Sequence, residues 1–135
     1  MVATASAAPP RPVAPNHPLL GSWKFTLPGN GCVEAWLIKP DGTSFVTSGD
    51  EVVETQLDVS DRPDARGAYR WVDKVVKSNG RTDCGDSVTP VGTVGTNYIR
   101  FDPTGDRMAL CHDEALRECI GPYLRVRPPG SSTKL

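Results

Sequence analysis

Between residues 20 and 127 apolar and polar side chains alternate with a period of two, broken at short intervals by glycine, proline, asparagine and aspartate. Trp23, Phe25 and Leu27 share one parity and Lys24 and Thr26 the other, so this run predicts a half-buried strand stopped by Pro28-Gly29-Asn30-Gly31. Residues 32–39 and 44–48 flank Pro40-Asp41-Gly42-Thr43, and two β-rich runs around an Asp-Gly predict a hairpin. In residues 51–59, Val53, Thr55, Leu57 and Val59 oppose Glu54, Gln56 and Asp58, the signature of another one-sided strand. A polar loop over 61–67 leads into 68–77, where Tyr69, Trp71 and Val75 alternate with Arg70, Val72, Lys74 and Val76. Ser78-Asn79-Gly80 turns the chain, and 83–95 is the longest stretch without periodicity, the kind of loop in which function often sits. Residues 97–101 predict a strand with Ile99 and Phe101 on one face. A turn over 102–106 precedes a strand over 107–111, a single helical turn is expected within 112–118, and 120–127 form the last strand.

About eight strands in sequence order, joined mainly by short turns, make an all-β antiparallel up-and-down meander, which closes most readily into a small barrel. Such a barrel has room either for its own side chains or for one small ligand. Its opening triplet, Gly21-Ser22-Trp23, resembles the Gly-x-Trp of the lipocalin and calycin group, and the strand count extends the similarity over roughly 20–127. The resemblance implies that Trp23 plugs the closed end of the barrel and that a basic residue of the final strand, Arg125 or Arg127, packs across its indole, a contact worth about 0.5–2 kcal/mol. Nothing after Arg127 supplies the C-terminal helix of a full lipocalin, so a shortened lipocalin-like barrel is expected.

Composition sets the boundaries. Residues 1–18 hold five prolines and almost no large apolar side chain, which predicts a disordered leader; 19–127 form a single β-barrel domain; the polar 128–135 are a disordered tail. A net charge of −1 with both signs scattered along the chain gives no basic stripe for nucleic acid, and no apolar run reaches the length of a membrane span. The cysteines, Cys32, Cys84, Cys111 and Cys119, lack C-x-x-C spacing, which argues for disulfides over a zinc or redox site. Of the three pairings, Cys111–Cys119 with Cys32–Cys84 is favoured because the first closes a short loop between two strand-like runs. Ala-x-Ala triplets at 3–5 and 5–7 look like the small-residue end of an export signal, and with the cysteines they predict a secreted or periplasmic protein.

The chain carries no hydrolase elbow, no zinc-binding H-E-x-x-H and no phosphate loop. His17 sits in the leader, where nothing is expected to fix it. His112 adjoins Cys111, but neighbouring residues on a strand face opposite ways, so neither a metal site nor a Cys-His pair is expected. Glu34 shares its parity with Trp36 and Asp73 with Trp71, which would place either acid in an aromatic cavity with a raised pKa; the favoured alternative has each facing water or pairing with a cation. No catalytic residue, cofactor or metal is expected, and an enzyme of unrecognised type ranks third. A monomer that binds a small apolar or amphipathic ligand ranks first, with Trp36, Phe45, Trp71, Tyr98 and Phe101 lining the cavity or serving only as packing. The alternative is a secreted inhibitor or interaction module that uses loops 61–67 and 83–95 on a hydrolase or other protein partner.

Overall fold

The alternating runs become eight strands: β1 (Gly21–Thr26), β2 (Val33–Ile38), β3 (Thr43–Ser48), β4 (Glu51–Val59), β5 (Tyr69–Ser78), β6 (Val94–Phe101), β7 (Arg107–Cys111) and β8 (Cys119–Val126). The computed structural model describes residues 10–127; leader residues 1–9 and the tail 128–135 lie outside the described residues. Each strand pairs antiparallel with its neighbour in sequence, and β8 returns to β1 with Trp23 opposite Arg125, closing the barrel. The fold is therefore the all-β closed meander that the alternation implies. Among the described residues no helix is long and apolar enough to cross a membrane.

Parity decides which side chains enter the barrel. On β4 the odd positions Glu51 through Val59 are all buried, while Asp58 on the other face is exposed. In the β2–β3 hairpin Trp36 lies opposite Val46, and Leu37 opposite Phe45, so the two pairs face opposite sides of the sheet. The main core gathers Leu19, Trp23, Ile38, Leu57, Trp71 and Tyr123 with their neighbours, and Trp36 bridges it to a smaller cluster of Val46, Val53 and Val75.

Within the barrel, one strand boundary differs from the sequence reading. Strand β6 begins at Val94, because Gly95 and Val94 pair with Asp73 and Lys74, so the aperiodic loop is shorter than expected. Residues 112–118 form one hydrogen-bonded turn, with Leu116 N–H donating to Asp113 O at 3.1 Å, and no helix: the Asp113 carboxylate accepts the backbone N–H groups of Arg117 and Glu118, both at 2.9 Å, and His112 N–H donates to Glu118 O. An aspartate that caps its own loop in this way competes with the helix ladder.

Residues 10–18, part of the leader by composition, lie against the barrel. Val13 N–H donates to Pro40 O at 2.9 Å, and Val13, His17 and Leu19 are buried. At Gly42, with φ +87°, a Cβ would come within 2.0 Å of the Arg11 carbonyl oxygen, so this turn admits the strap only because it lacks a side chain. The expectation that nothing fixes His17 is corrected. Its Nδ1 accepts the Leu19 N–H at 3.0 Å, which leaves the proton on Nε2 to be donated to Ser60 O at 2.9 Å. Burial lowers its pKa and holds the ring neutral. Composition misleads here because the strap uses apolar surface that the barrel provides.

Candidate functional site

Antiparallel order sends alternate connections to opposite ends. The strap and the 39–42, 60–68 and 102–106 connections meet at one end, and the 27–32, 49–50, 79–93 and 112–118 connections at the other.

The first end is sealed. Trp23 is fully buried and its indole N–H donates to Leu19 O at 2.8 Å, while the Arg125 guanidinium carbon lies 4.3 Å from the ring centroid. Arg125 also donates to Pro18 O at 2.6 Å, Leu20 O at 2.7 Å and Gly105 O at 3.0 Å, tying strap, β1 and the β6–β7 turn together. Gly21, at φ +107°, lies against this cation: a Cβ there would stand 3.2 Å from Arg125 Nη1. The glycine, tryptophan and arginine thus act as one closure. Arg125 fills the position across the indole, and Arg127 instead donates to the Asp106 carboxylate at 2.8 Å.

The second end holds a cleft of about 480 Å³. Phe25, Leu27, Pro28 and Ile120 give it apolar walls, and Glu34, Ser48 and Asp83 give it a polar side. The Cys32–Cys84 disulfide carries the 79–93 loop across this end, where Cys84 N–H donates to Ser48 Oγ at 3.2 Å and Thr89 N–H to Glu51 Oε2 at 3.3 Å. Cys111–Cys119 closes the neighbouring β7–β8 loop, so both favoured disulfides are present.

The five side chains expected to line a cavity divide. Trp36 and Trp71 meet inside the barrel edge to face at 4.8 Å, and Phe101 packs on Trp23 at 5.8 Å near the sealed end. Phe45 and Tyr98 do not join them. Phe45 lies on the outer surface beside Leu37 and Val126, and Tyr98 lies outside among Arg62, Arg70 and Glu114. Register gives the reason, since Val46 and Ile99 take the inward positions next to them. Phe25 and Tyr123, 4.9 Å apart, are the aromatics near the cleft that sequence reasoning missed, although Phe25 shares the parity of Trp23.

Glu34 and Asp73 both turn inward, against the expectation that they face water or a cation. The Tyr123 hydroxyl donates to Glu34 Oε2, and burial, then the Glu34 charge and this hydrogen bond, push the phenol pKa upward. The Trp36 indole N–H opposes that shift but does not meet hydrogen-bond geometry, and the indole N–H groups of both Trp36 and Trp71 are buried without an acceptor. Burial pushes Asp73 up to about 6, with Glu34 adding to the rise and the Gly95 N–H opposing it. A folded-state pKa above the unfolded one favours the fold below pH 4, and that contribution is lost as pH rises through about 6. Asp73→Asn is accordingly expected to stabilise the protein at pH 7.5 by about 1–3 kcal/mol and to have little effect near pH 3.5, read from urea midpoints at the two pH values.

His112, the other histidine, places Nδ1 3.3 Å from Asn97 Oδ1 on the exposed side, next to a cysteine that is bridged. Among the described residues no group of three or more histidine, cysteine, aspartate or glutamate side chains is placed to hold a metal ion. No family model, no curated protein and no solved structure matches this chain.

Proposed function

We propose that this protein is an exported, non-catalytic, lipocalin-like binder of a small amphipathic ligand, and that the ligand enters at the open end rather than the centre of the barrel. The observation that carries this reading is the 480 Å³ cleft, whose apolar walls meet a polar side at Glu34 while the opposite end is plugged by Trp23 and Arg125. Concave, mainly apolar sites with a few placed polar groups are the usual form of a small-molecule site. The barrel centre is occupied by Trp36 and Trp71, which favours the mouth. The Trp23–Arg125 closure supports the calycin-type reading, and two disulfides in so small a domain favour a secreted or periplasmic location. Titration with decanol, followed by tryptophan fluorescence, should saturate at one molecule per chain; absence of saturable binding across alkyl alcohols of several lengths would refute the reading.

A second reading, a protein-interaction module acting through its loops, draws on Val88 and Val91, which are about half exposed on the braced 79–93 loop (49% and 61%). Replacing Val88 and Val91, which do not line the cleft, by serine would then abolish capture of the partner while leaving alcohol binding at the cleft unchanged.

A further inference from the structure

The cleft at the open end carries charge of one sign. Glu34 and Asp83 line it, Glu51 is buried under the loop that covers it, and no lysine, arginine or histidine lines it. The ion pairs among the described residues engage Asp50, Glu54, Asp58, Asp61 and Asp106, and leave Glu34, Glu51, Asp73 and Asp83 without a cation. Burial raises the Asp73 and Glu51 carboxyls above their ordinary values, and the negative charge of Glu34 adds to both, joined at Glu51 by that of Asp83.

Aromatic groups stand beside this uncompensated charge. Phe25 forms a wall of the cleft, and its ring packs 4.9 Å from Tyr123, whose hydroxyl donates to Glu34. Ring faces attract cations, and a carboxylate fixed by a phenol needs no reorganisation to receive one.

We propose that the cleft selects an alkylammonium ligand, with Glu34, held from behind by the Tyr123 hydroxyl, as the anion that reads the head group, Phe25 as its aromatic wall, and Leu27, Pro28 and Ile120 as the surface for the alkyl chain. The inference rests on the ligand-binding reading above and adds the sign of the ligand's charge. A fatty acid of the same length would bring its carboxylate against Glu34 with no cation between them.

Three probes of equal chain length separate the possibilities: decyltrimethylammonium, decanol and decanoate, each titrated at pH 7.5 in low salt by calorimetry. The ammonium is expected to bind at least about ten-fold more tightly than decanoate, and Glu34→Gln to remove most of that preference, read as the ratio of the two affinities in the variant. Wild-type titrations at rising salt supply the same information should the variant fail to fold, since the ammonium affinity should fall with salt and the decanol affinity should not. Equal or tighter binding of decanoate, a preference that survives Glu34→Gln in a folded variant, or an ammonium affinity indifferent to salt overturns the cationic assignment while leaving a ligand cleft in place. Failure of all three probes to bind overturns the cleft as well.

Discussion

Trp23→Ala is expected to destabilise the protein by about 3–5 kcal/mol, a large part of the stability of a domain this size. The indole is fully buried in the main core, and its loss removes three things together: packing against Phe101 and its neighbours, the ring beneath Arg125, and the donor to Leu19 O. The surroundings cannot collapse freely into the gap because Arg125 is held by carbonyl groups of Pro18, Leu20 and Gly105. Trp23→Phe separates the contributions. It keeps an aromatic ring under the guanidinium but leaves the buried Leu19 carbonyl without its indole donor, for an expected cost of about 1–3 kcal/mol. Chemical denaturation of both variants checks the order, and a Trp23→Ala cost below that of Trp23→Phe would contradict the plug.

Removing the Cys32–Cys84 bridge by a double Cys→Ser change should cost about 4 kcal/mol, against about 2–3 kcal/mol for removing Cys111–Cys119. The ordering follows from the chain each bridge closes, a separation of 52 residues against 8. Loop closure is entropic in this account, so the longer loop gains more freedom in the unfolded state. The first bridge also matters locally, since Cys84 lines the cleft and anchors the 79–93 loop near Ser48 and Glu51. Denaturation midpoints of the two double variants test the ordering, and equal costs would place the stabilisation in native contacts of the loops instead.

The strands were legible because their alternation is a local property: a residue such as Leu57 between Gln56 and Asp58 states its own face. The favoured disulfides and the arginine across Trp23 were legible too, the latter through the opening Gly-x-Trp. Phe45 was not, because the 44–48 run carries apolar residues on both parities and only its pairing with Leu37 turns it outward. The inward placement of Ile99 and Phe101 already implied that Tyr98 faces out, a signal available from parity alone. His17 lay beyond sequence reasoning of any local kind. Its fixing depends on Ser60, 43 residues away, and on a close approach between Gly42 and Arg11 that no neighbouring residues announce. The inward acids run against the favoured reading of the sequence because a buried carboxylate without a cation is costly, and such exceptions to local consistency tend to mark functional positions.

A decanol titration followed by backbone amide NMR tests whether ligand enters at the mouth of the barrel, opposite the end that Trp23 and Arg125 seal. Saturable shifts are expected at Phe25, Glu34, Cys84, Ile120 and Gly121, with Leu19, Trp23 and Arg125 unmoved. Largest shifts at Trp23 and Arg125, or on the outer face at Leu37 and Phe45, would contradict entry at the mouth.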